Sequence, residues 1–173
     1  MRKFICLATL LLAACIPAVA PVQPVTPQPA LELRSAGAEI KSWGVTLRQW
    51  SLDETGRVEH VSGGRVGVNP ADLVLEVRRF ELPAAERIAL AKAVEGVQRV
   101  LATPEHCDLM MTDGPYGSFR WSFGAKEEIL PFSGNCVKGR DHELAEAIFA
   151  ADGIVDDAAK AVAVTEKRPY KGD

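Results

Sequence analysis

The stretch GSFRWSFGAKEEILPF, residues 117–132, decides the fold. Phe119, Trp121 and Phe123 alternate with Arg120 and Ser122, the period of a strand with one face buried and the other wet. Gly124-Ala125-Lys126 turns the chain, and Glu128, Leu130 and Phe132 return on the same period, so the segment reads as an antiparallel hairpin. Pro131 has no amide hydrogen to give to a ladder, which puts the returning strand at a sheet edge or ends it there.

Upstream of the hairpin, Leu90, Val94, Val97 and Leu101 share one helical face, and Pro83 sits where the first turn tolerates it. A helix is expected from about Pro83 to Ala102, closed by Thr103-Pro104. Before it, from about Glu39, Trp43, Val45 and Leu47 alternate, Asp53-Glu54-Thr55-Gly56 turns, and Arg57 to Val61 returns. A glycine-rich connection from Ser62 to Pro70 leads to a third strand, Leu73, Leu75 and Val77, ending near Glu81. Those glycines precede a strand and lack a Lys-Ser/Thr ending, so they do not read as a phosphate-binding loop.

Downstream of the hairpin, Asp141 is placed to cap a helix carrying Leu144, Ala145, Ile148 and Phe149. Gly153 is expected to break it before a short segment from Ile154 to Val164, and residues 165–173 read as a flexible tail. The order predicts an α+β domain over residues 39–164, an antiparallel sheet of five to six strands with helices on one face.

The N-terminus has a different character. Arg2 and Lys3 precede an apolar run, Phe4 to Ala14, too short to span a bilayer, so residues 1–14 read as a signal peptide. Leu12-Ala13-Ala14-Cys15 resembles the bacterial lipobox, and the resemblance implies that Cys15 becomes the lipid-modified first residue of the mature protein, its acyl chains anchoring it to a membrane. Ile16 after the cysteine resembles the outer-membrane sorting pattern of hosts with two membranes. A competing site after Ala18-Val19-Ala20 would release a secreted or soluble periplasmic protein, but Pro21 hinders cleavage there. Pro17, Pro21, Pro24, Pro27 and Pro29 make residues 15–38 a proline-rich tether.

Composition narrows the partners. Of the 173 residues, 47% are hydrophobic and 25% charged, which is too apolar and too evenly charged for a disordered chain. The net charge of −3, with no basic block, argues against nucleic acid as a partner.

With Cys6 in the leader and Cys15 taken by lipid, Cys107 and Cys136 remain in an oxidising compartment and are expected to form a disulfide. The hairpin returns Cys136 to the end where its first strand began, so residues 108–117 leave and come back as a loop tied at its base by the disulfide. Leu109, Met110 and Met111 sit in that loop. They either fold under the sheet as core, the reading that the burial tendency of methionine favours, or stand out as a recognition loop. The run from Cys107 to Cys136, with Asp113-Gly114-Pro115, the hairpin and Phe132-Ser133-Gly134-Asn135-Cys136, resembles the second half of subtilisin-inhibitor-like domains. That resemblance implies strands, then a helix, ahead of the disulfide, and an inhibitory bond near Leu109-Met110. This chain lacks the family's other disulfide, and Gly114 separates its aspartate from its proline.

Catalytic chemistry is poorly represented. His60, His106 and His142 are the only imidazoles, none at a diagnostic spacing, and no HExxH, CxxC or GxSxG occurs. A metal site at His106, Asp108 and Asp113 has only loop proximity behind it. The expectation is a lipid-anchored cell-envelope protein, neither an enzyme nor a cofactor carrier, that serves as a binding or structural module for an envelope protein or wall component; the alternative is a protease inhibitor acting through the loop after Cys107.

Overall fold

The computed structural model describes residues 32–42, 45–63 and 73–170. The leader, Cys15 and most of the tether lie outside these residues, as do Trp43 and most of the glycine-rich connection.

The domain is α+β. Eleven elements follow one another: β1 Leu33–Ser42, β2 Val45–Leu52, β3 Arg57–Ser62, β4 Val74–Glu81, α1 Ala84–Leu101, β5 Leu109–Met110, β6 Tyr116–Phe123, β7 Glu127–Ser133, β8 Cys136–Lys138, α2 Arg140–Lys160 and β9 Glu166–Pro169. Seven strands form one antiparallel sheet in the order β7-β6-β1-β2-β3-β4-β9, and β5 pairs with β8 in a small second sheet. The β6–β7 hairpin forms where the alternation puts it, and β7, with Pro131, is an edge strand.

The β2–β3 hairpin follows from its turn. The Asp53 carboxylate accepts from the amides of Thr55 and Arg57 and from the Thr55 hydroxyl, while Gly56 adopts a φ of 86°. The β1–β6 contact depends on the missing side chain of Gly117, because no Cβ fits there against the Glu39 carbonyl.

Both helices pack on the sheet face that carries Ala36, Ala38, Ile40, Trp50, Leu52, Val58, Phe119 and Trp121, and together they form one core. From α1 come Leu90, Val94 and Val97; from α2, Leu144, Ile148, Ala151 and Val155. Size is matched across the strands. Ala38 pairs with Trp50 on one side and Phe119 on the other, and the two rings meet edge to face over it, centroids 6.3 Å apart.

Four expectations are corrected. The sheet has seven strands where the sequence predicts five to six, with β1 and β9 added to it. The first strand begins at Leu33, ahead of residue 39: Ala36, Gly37 and Ala38 have weak strand propensity, but the large rings on either side select them. Residues 166–169 are a strand held by β4, not tail, with Lys167 beside Glu76 and Glu166 on Arg79. Finally, α2 runs unbroken through Gly153 for 21 residues; Gly139 takes the N-cap position, and Asp141 lies in the first turn. A glycine costs an exposed helix only about 1 kcal/mol, less than the buried stripe on either side contributes.

β1 runs from Leu33, paired with Phe123 at the end of β6, to Lys41, paired with Tyr116 at its start. The chain therefore joins the sheet at the end opposite the segment that leads into β6.

Candidate functional site

That segment is the loop from Cys107 to Pro115. The Cys107–Cys136 disulfide closes its base, with Cα atoms 5.7 Å apart. The Asp108 amide donates to the Lys138 carbonyl (2.8 Å) and the Met111 amide to the Asn135 carbonyl (2.7 Å). The Asn135 side chain accepts from the Gly114 amide (2.8 Å), and the Gly134 amide donates to the Pro115 carbonyl (2.6 Å). One short stretch, 134–138, thus holds both limbs of the loop.

The pairing aims the side chains outward. Leu109 is 57% exposed, Met110 72% and Met111 50%, and Val137, the bulged residue opposite them in β8, is also exposed. The expectation that these residues fold under the sheet is overturned. The core below is already filled by Phe119, Trp121, Phe132 and the two helices, and the β5–β8 ladder fixes the loop beside it. His106 is exposed, its Nδ1 3.2 Å from the Pro104 carbonyl. Among the described residues no three His, Cys, Asp or Glu side chains converge as metal ligands, and those of His106, Asp108 and Asp113 do not come together as a site.

A second polar group lies between the sheet and α2. Asp152, 1% exposed, accepts from Trp50 Nε1 (3.1 Å) and faces the Arg48 guanidinium (2.5 Å). One turn on, Asp156 lies 3.3 Å from His60 Nε2 and 3.0 Å from Lys160. Burial pushes the Asp152 carboxyl up, opposed by Arg48 and Trp50. Asp156 is drawn down, because Lys160, Arg48 and His60 outweigh its own desolvation. His60, 1% exposed, is pulled down by burial; Asp156 opposes the shift and Arg78 and Arg48 reinforce it. Sequence reasoning missed this cluster, although Asp152 falls on the buried stripe of α2 with Ile148 and Val155. Asp152 and His60 are closed to solvent, so a substrate could reach them only by lifting α2. The arrangement ties α2 to β2 and β3; it is not an open active site.

This burial gives stability a pH dependence. Because the folded His60 pKa lies below its ordinary 6.5, the unfolded chain takes up a proton through that region that the native protein refuses. Stability should therefore fall as pH drops below about 6.5, with a slope of up to about 1.4 kcal/mol per pH unit. Asp152 acts in the opposite sense, starting above 3.8, and Asp156 withdraws stability only below that value. Urea unfolding between pH 7.5 and 5.5 should show the decline in the native sequence and a flatter profile in His60→Gln. Equal slopes in both proteins would refute the assignment.

No family model, curated protein or solved structure matches the chain.

Proposed function

We propose that this protein is a lipid-anchored module of the cell envelope that binds a protein partner without catalysing a reaction, and that residues 109–111 are its contact surface. The observation that carries the reading is three consecutive large apolar side chains, all at least half exposed, on a backbone fixed by a disulfide and by β8. A monomer has little reason to keep such a patch in water. A loop ordered in advance loses little entropy on binding, so its apolar area is available to affinity.

The test is Met110→Ala in the full-length chain, with the partner captured by cross-linking in the producing cells. Stability should change by less than about 0.5 kcal/mol, as for a side chain that fills no cavity, while the cross-linked adduct is lost. Destabilisation of about 2 kcal/mol or more would instead mark Met110 as packed and remove the surface.

The anchor rests on Leu12-Ala13-Ala14-Cys15 and on the hindrance at Pro21. Palmitate labelling and intact mass should place lipid on Cys15; a soluble mature protein beginning at Pro21 would overturn it. With β1 starting at Leu33, the 17 residues from Ile16 to Glu32 could hold the domain up to about 50 Å from a bilayer. In a host with two membranes, Ile16 favours the periplasmic face of the outer one.

A second reading, protease inhibition, is favoured by one feature: Leu109 and Met110 are extended, and their backbone is hydrogen-bonded to β8 from below while their side chains stand free. That is a shape a protease cleft accepts, and the bond implied by the subtilisin-inhibitor-like resemblance lies here. Stoichiometric loss of activity of a subtilisin-type protease, abolished by Met110→Asp, would favour it over simple binding.

A further inference from the structure

We propose that Met110 and Met111 form an oxidation site that switches the contact surface without disturbing the fold; the inference rests on the reading of residues 109–111 as that surface. The chain has three methionines, and Met1 is the first residue of the leader. The other two are neighbours in the loop, both at least half exposed, and neither belongs to the core. The two cysteines of the domain are bonded to each other. Every thioether of the folded domain is thus concentrated in one surface patch, where a two-electron oxidant from solution can reach it.

The chemistry needs a peroxide and nothing else. A sulfur lone pair attacks one oxygen of hydrogen peroxide, the S–O bond forms as the O–O bond breaks, and the departing hydroxide takes the proton still carried by the sulfur-bound oxygen, leaving as water. The thioether is oxidised by two electrons to the sulfoxide while the peroxide is reduced by two. A buried methionine so modified would drive a polar oxygen into the core. Here the oxygen points into water, so the domain keeps its packing and the patch becomes polar. Leu109 and Val137, in the same patch, cannot be oxidised in this way and report the change.

The experiment treats the full-length lipoprotein in detergent with hydrogen peroxide and reads three quantities. Peptide mass spectrometry follows the rate of oxygen addition at each methionine, circular dichroism follows the unfolding midpoint, and labelling of Leu109 by a small apolar diazirine reports how apolar the patch is. Both methionines should react within about threefold of the rate of free methionine, the midpoint should stay unchanged, Leu109 labelling should fall, and methionine sulfoxide reductase should restore it. The double variant Met110→Leu/Met111→Leu should keep its labelling through the treatment. Oxidation more than about tenfold slower than that of free methionine, a lowered midpoint, or unchanged Leu109 labelling would each overturn the proposal. None of these readouts involves the partner, whereas the Met110→Ala cross-linking test involves no oxidant, so either idea can fail alone.

Discussion

Replacing Trp50 by alanine should lower the free energy of unfolding by about 3 to 5 kcal/mol, the range for deleting a large aromatic from a packed core. Two losses add. The ring fills the space that Ala38 leaves and meets Phe119 edge to face, and its Nε1 is one of the donors that keep the buried Asp152 carboxylate supplied. Trp50→Phe separates them: most of the ring remains and the donor goes, which should cost about 1 to 3 kcal/mol. Chemical denaturation of the two variants measures the division. Equal losses would mean that the hydrogen bond, and not the packed ring, holds this part of the core.

Cys107→Ser should lower stability by about 3 to 4 kcal/mol, the loop-entropy value for a bridge closing about thirty residues. The two cysteines are 29 residues apart, and the bridge spans the whole β6–β7 hairpin. The effect should extend beyond stability, since a two-residue strand such as β5 pairs too weakly to hold a loop alone. Amide exchange at Asp108 and Met111, which donate to Lys138 and Asn135, should rise far more than exchange within β1 or α1. An unchanged denaturation midpoint, or protected amides in the serine variant, would show that β8 and Asn135 suffice.

Local signals were enough for much of this architecture. The β6–β7 hairpin is legible because Phe119 and Trp121 must be covered and Gly124 must turn; the β2–β3 turn is legible because Asp53 supplies its own hydrogen bonds. α1 was readable from its stripe and from the proline at each end. β1 was not, since Ala36 and Ala38 are strand residues only because of Trp121, Phe119, Leu52 and Trp50, which come from elsewhere in the chain. β9 is all charge and proline and owes its place to β4.

The candidate surface was legible only to its address. Cys107 and Cys136 located the loop, but the direction of its side chains is set by pairing with residues 136–138, and methionine's usual preference for interiors pointed the wrong way. The buried cluster had one local signal, the acidic residue at 152 among apolar neighbours. Its partners, Arg48, Trp50 and His60, lie about a hundred residues earlier and carry no mark of their own.

The antiparallel run of β1 beside β6 has a mechanical consequence. A pull between the N-terminal end of β1 and the 107–115 loop acts on the starts of two antiparallel strands, Leu33 at one end of the ladder and Tyr116 at the other. Across the disulfide the force arrives at the same far end, at Cys136 just after β7. Such a load slides β1 along β6 and strains all the rungs between them together, because the rungs stand perpendicular to the strands. Had the chain joined the sheet beside the loop, the same force would have opened the pair one rung at a time. A domain held at its first strand and gripped at its opposite tip resists tension in shear, the load that the proposed anchor and the proposed contact loop would place on it.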